Sequence, residues 1–172
     1  DDALFQIKLS EIRDKRIVCV QFLGGYQQGK TSTISMITGN KNLVIGDGIS
    51  EETRGVWIDG PYTIKSLAQR FHIRDYDDMA DDNAILFIDC EGSGGFDAGD
   101  SNFQNQAIMK ELDIPFAAIS SCVVFLANKN ESISSIENLT TTLKFKDFTS
   151  QINPVFKDSI VLMPFTKDIS EF

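Results

Sequence analysis

Four short apolar, β-branched runs punctuate this chain of 172 residues: RIVCVQFL (16–23), NAILFIDC (83–90), SSCVVFLA (120–127) and SIVLMPF (159–165). None alternates strictly between apolar and polar residues. A strand with one wet face alternates, whereas a strand covered on both faces reads as a continuous apolar run, the signature of parallel sheets. Helix-like stretches follow three of the runs: KTSTISMIT, NFQNQAIMKELD and SISSIENLTTTLKFKDFTSQI. Parallel strands need long crossovers, and helices supply them. The pattern predicts one α/β domain, a mostly parallel sheet with helices on both faces. GVWID (55–59) reads as an additional edge-type strand, and 60–82 as a long intervening segment.

The link between the first run and its helix is GGYQQGKT, residues 24–31, which fits Gly, four residues, Gly-Lys-Thr. A glycine-rich turn between strand and helix lets successive backbone N–H groups curl around a phosphate. The helix N-terminus adds partial positive charge. In such a loop Lys30 reaches the β- and γ-phosphates and the Thr31 hydroxyl ligates Mg2+. Gly25, Tyr26, Gln27, Gln28, Gly29 and Ser32 complete the candidate cradle. The bland alternative is a plain strand-to-helix turn.

Three further segments extend this reading. Asp89, in FIDCEGSGG, ends a buried run, where a carboxylate at the sheet's carboxyl edge can help hold Mg2+. Gly92, three residues on, offers a backbone N–H to a γ-phosphate. Thr53, in ISEETRGVWID, can add a second Mg2+ ligand and sense the γ-phosphate, or merely start a strand. Asp168, in VLMPFTKDIS, follows the last run. Its carboxylate can accept hydrogen bonds from a guanine N1–H and N2–H2, a donor pair that adenine lacks.

Composition narrows the alternatives. A net charge of −9, from 25 acidic and 16 basic residues, argues against a nucleic-acid binder held by phosphate neutralisation. The odd set Cys19, Cys90 and Cys122 lies within or at the end of apolar runs and reads as reduced core thiols. No charged-then-apolar leader opens the sequence, and no apolar run approaches the roughly 18 residues of a spanning helix. The expected location is therefore cytoplasmic, with membrane association only through parts absent from this chain, and the sequons at Asn130 and Asn138 read as accidental. The acidic run DYDDMADD reads as a solvated loop and His72 as a structural or surface residue.

Taken together, GGYQQGKT, TRGVWI, DCEGSGG and FTKD resemble the GTPase domain of guanylate-binding proteins and atlastins, dynamin-like large GTPases, from about Arg16 to Asp168. The segments at 53–57 and 89–92 are the most telling, since Ras-like proteins lack both. The resemblance implies a P-loop NTPase with an enlarged Ras-like core, GTP and GDP as ligands, and a nucleotide-dependent homodimer formed through the nucleotide face. Lys167 and Asp168 fit that family's short base-recognition pair. Thr53 and Glu91 favour hydrolysis.

Two departures stand out. Gln27 occupies the position where the family usually carries an internal arginine finger, and Glu51 lies near a position that often holds Ser. An arginine finger is worth about 10³–10⁵ in rate, or roughly 4–7 kcal/mol of barrier. A glutamine amide brings no charge. The expectation is a GTP-hydrolysing domain whose turnover is slow; the alternative is a GTP-gated interaction module that scarcely hydrolyses. An ATP-dependent kinase would need a basic acceptor-binding lid, which the sequence lacks, and Asp168 disfavours adenine. Because the sequence stops four residues after Asp168, before the family's guanine cap, closing strand and terminal helix, it reads as a single GTPase domain (1–172) truncated after its specificity motif.

Overall fold

The computed structural model describes residues 10, 12–25, 28–43, 56–73, 82–90, 114–127, 133–152 and 160–164. Its strands are β1 (Arg16–Gly24), β2 (Val56–Tyr62), β3 (Asn83–Cys90), β4 (Cys122–Ala127) and β5 (Ile160–Pro164). The helices are α1 (Lys30–Thr38), α2 (Ile64–Arg70) and α3 (Ile133–Ile152), with a further helical segment at 114–119. The five strands form one sheet in the order β2-β3-β1-β4-β5. Among the described residues all pairs are parallel except β2–β3, and the antiparallel strand β2 lies at an edge.

The continuous apolar runs become the inner strands because both of their faces are covered. Side chains alternate across a strand, and the buried residues divide accordingly. Phe22, Phe87, Val124 and Leu126 face one way and join Ile34 of α1, with Ile37 and Leu67 packed against them. Leu23, Ile88, Cys90, Val123 and Phe125 face the other way and join Ala117, with Phe116 and Leu139 of α3 against them. Helices therefore cover both faces, as the sequence predicts. The Phe87 ring lies between Phe22, with centroids 6.2 Å apart, and Tyr62, at 5.9 Å, which ties edge strand β2 into the first core.

The sheet departs from the sequence reading at 60–70. Gly60 and Pro61 look like strand breakers, yet β2 continues to Tyr62 across an irregularity in its pairing with β3. Proline lacks an N–H to give to a ladder, and an edge strand with a bulge tolerates that loss. Helix α2 follows at once. Thr63 accepts from the Ser66 N–H at 3.0 Å, and the Ser66 hydroxyl oxygen accepts from the Thr63 N–H at 3.1 Å. That reciprocal pair satisfies two helix-end donors.

The segment at 114–119 begins within Ile114-Pro115, where proline's missing N–H costs nothing in a first helical turn. At its end the Phe116 carbonyl accepts from both the Ser120 N–H, at 3.0 Å, and the Ser120 hydroxyl, at 2.7 Å. The helix expected at NFQNQAIMKELD lies outside the described residues, as does all of the acidic run except Asp82. Cys90 is buried, Cys19 and Cys122 are half-buried, and none of the three is in a disulfide. His72 is exposed. Among the described residues no helix is long and apolar enough to cross a membrane.

Candidate nucleotide site

Parallel register brings the site together at the carboxyl edge of the sheet. Phe22 of β1 pairs with Asp89 of β3, and Gly24 of β1 pairs with Leu126 of β4. The chain leaves β1 at that edge and enters α1 at Lys30, so the loop rises between the ends of two flanking strands. Gly24 has φ 147°, and a Cβ there would lie 2.7 Å from the Leu126 carbonyl oxygen. Only glycine fits that close approach. Gly29 is the N-cap of α1 in the left-handed region, with φ 74°, and provides no side-chain cap. No acidic residue stands in the first turn. The helix N-terminus therefore carries neither a built-in cap nor a built-in anion, which suits it to an external phosphate.

Contacts of Lys30, Gln28 and Thr31 define the site's chemistry. Lys30 is buried, and its Nζ donates to the Gly25 carbonyl at 2.9 Å and to the Gly24 carbonyl at 3.3 Å. Gln28 is also buried, and its Oε1 accepts the Gly25 N–H at 2.9 Å. Thr31 donates its hydroxyl to Asp89 Oδ2 at 2.6 Å, across 58 positions of sequence. Behind the loop, the Thr33 hydroxyl donates to the Gly29 carbonyl at 2.8 Å and stiffens the first turn. Ser32 is half-buried in that turn.

Asp89 is strained electrostatically. Burial pushes its carboxyl above the ordinary value, while the Thr31 hydrogen bond and the Lys30 charge pull it part of the way back. Its Oδ1 is buried and has no hydrogen-bond partner among the described residues. A buried, ionisable oxygen without a donor is costly unless a cation meets it. A hydroxyl and a carboxylate side by side are hard oxygen donors, the kind Mg2+ takes along with water and phosphate oxygens. The residues present thus fit the cation expected from the sequence.

Of the candidate residues, the structure gathers Gly25, Gln28, Gly29, Lys30, Thr31, Ser32 and Asp89 at this edge. Tyr26, Gln27, Thr53, Glu91, Gly92, Lys167 and Asp168 lie outside the described residues. The Gln28 side-chain contact was not legible in the motif, which leaves that position open.

A phosphate-loop α/β protein is the class that this sheet and loop define. The chain matches the model of the guanylate-binding protein N-terminal domain over residues 1–163, and it belongs to that family. Two solved structures are similar in part. One is Aquifex aeolicus Era bound to GDP and AlF4-, with 15% identity, 87% of this chain and 51% of that chain covered, and a TM-score of 0.48. The other is Era in complex with MgGDPNP and nucleotides of 16S ribosomal RNA, with 14% identity, the same 87% and 51% coverage, and a TM-score of 0.44. This chain thus spans about half the length of those two. No curated protein matches it.

Proposed function

We propose that this chain is a Mg2+-dependent GTPase domain that binds GTP at the loop 24–31 and hydrolyses it to GDP in the cytoplasm. The observation that carries the reading is the Thr31–Asp89 contact of 2.6 Å beside the orphaned Asp89 Oδ1. It joins the two sequence-distant residues that the chemistry of a Mg2+-triphosphate requires. Mg2+, when bound, supplies charge neutralisation on the phosphates.

The protein's own groups do the rest. N–H groups of the loop and of the first turn of α1 orient the β-phosphate, and the Lys30 ammonium stabilises charge on the β- and γ-oxygens. Thr31 and Asp89 hold the cation, and Thr53 adds a ligand from the segment preceding β2. Gly92 donates its N–H to the γ-phosphate, and Glu91 belongs to the hydrolytic side of the site. Lys167 and Asp168 select guanine. Two copies meet through the nucleotide face as a GTP-dependent homodimer.

A second reading keeps the binding and drops fast turnover. Gln27 favours it, because an amide stabilises developing phosphoryl charge less well than a guanidinium. Single-turnover hydrolysis separates the two. The first reading expects Mg2+-dependent phosphate release from GTP, absent with ATP and lost in Lys30→Ala. Tight GTP binding without release supports the second, and equal release from ATP rejects both.

A further inference from the structure

Gly25 is gripped on both sides of its Cα. Its N–H goes to Gln28 Oε1 at 2.9 Å, and its carbonyl goes to Lys30 Nζ at 2.9 Å. The Gln28 side chain is 7% exposed, so its amide lies under the loop and not in solvent. The oxygen sits where a Gly24 Cβ would be only 2.6 Å from it, in the same crevice as the Leu126 carbonyl oxygen of β4. Gln28 thereby links the last part of the loop to its first turn and to the sheet beneath. Any rotation of the Gly24–Gly25 peptide plane has to break this bond, and it carries with it the Gly24 carbonyl, which accepts from Lys30 Nζ at 3.3 Å.

We propose that Gln28 is a positioning residue for phosphate binding, a strut that fixes the Gly24–Gly25 peptide so that the loop and Lys30 are shaped before nucleotide arrives. The inference rests on the nucleotide-binding reading above and assigns the side chain a role that the loop motif does not specify. A loop ordered in advance loses less freedom on binding, and the difference appears as tighter retention. Both GDP and GTP use the β-phosphate cradle, so the strut acts on both alike. Binding that is equal for two ligands of one site is lost equally.

Gln28→Met keeps the length and volume of the side chain and removes the amide acceptor, and Gln28→Leu is a second form of the same loss. The measurements are release rates of fluorescent GDP and of a fluorescent non-hydrolysable GTP analogue, well below the Tm. Gly25 amide exchange in nucleotide-free protein is followed by NMR. Release about tenfold faster for both nucleotides is expected, with the Gly25 amide protected in the unmutated protein and exchanging faster in the variants. A role confined to global stability would lower the Tm and leave release from folded molecules unchanged, which overturns the proposal. An unprotected Gly25 amide in the unmutated protein overturns it also, even where both variants fail to fold. If the unmutated protein binds no nucleotide, both readings fall; normal binding with unchanged release in the variants removes this one alone.

Discussion

Asp89 is 5% exposed, accepts one hydrogen bond from Thr31 and keeps a second oxygen buried beside it. Burial raises its folded pKa above that of the unfolded chain. The folded state then holds a proton over a pH range in which the unfolded chain has lost it. The resulting stability is fully present below the unfolded value and is lost as pH rises through the folded value. Asp89→Asn keeps an oxygen for Thr31 and removes the titration. In EDTA, thermal unfolding above that window should show the variant gaining stability relative to the unmutated protein, and the gap should close as pH falls below it. The same substitution should weaken Mg2+-dependent triphosphate binding by about 10–100-fold. A variant with full Mg2+-dependent affinity would remove Asp89 from the cation site. The residue is legible in the sequence because it ends an apolar run 59 positions after Lys30. Its orphaned oxygen and its register with Phe22 are not, since they arise only from the pairing of β1 with β3.

The elements around the site are joined by contacts that short-range patterns do not announce. Asp59 of β2 accepts the Asn40 amide at 3.0 Å and the Tyr62 hydroxyl at 2.9 Å, tying the chain just after α1 to the edge strand. Hydrogen bonds to a charged acceptor contribute more than neutral ones, and breaking two strands both donors. Asp59→Ala should therefore cost about 2–4 kcal/mol in urea unfolding, since a bond to a charged group is worth about 1.5–3 kcal/mol net and Asp59 is only half-buried. A loss within about 0.5 kcal/mol would mean that β2 is held by its ladder alone, the size of effect ordinary at surface sites.

The buried strands are readable from composition because two covered faces demand apolar residues on both. Edge strand β2 is readable only as far as Asp59, because Gly60 and Pro61 carry a breaker signal that the bulge against β3 overrides. Helix α2, inside the segment that reads as an intervening stretch, is obscured for a local reason. Its capping residue at the third helical position is Ser66, where the usual signal is Glu or Gln, and it spans only 7 residues.

At the scale of the molecule, covering both faces of the sheet leaves its carboxyl edge as the place where three strands end beside a helix N-terminus. That edge assembles residues from β1, α1 and β3 into one site. On the proposed function, catalytic speed turns on the charge that position 27 supplies. Gln27→Arg should raise GTP hydrolysis, most clearly at concentrations that favour dimerisation, and leave GDP affinity almost unchanged, since the gain belongs to the transition state. A rate-against-concentration series for both proteins checks this. Equal rates would mean that another group supplies the charge, with Arg54 the first to test.

The proposed function puts Lys30, Thr31 and Asp89 in one Mg2+-guanine-triphosphate site. Isothermal titration of the unmutated protein with non-hydrolysable analogues of GTP and ATP, each in Mg2+ and in EDTA, tests it most directly. Saturable binding of the GTP analogue is predicted, weakened by at least about tenfold when Mg2+ is removed or ATP analogue replaces it, a difference of about 1.4 kcal/mol. Equal affinity for both analogues, or affinity indifferent to Mg2+, would contradict it.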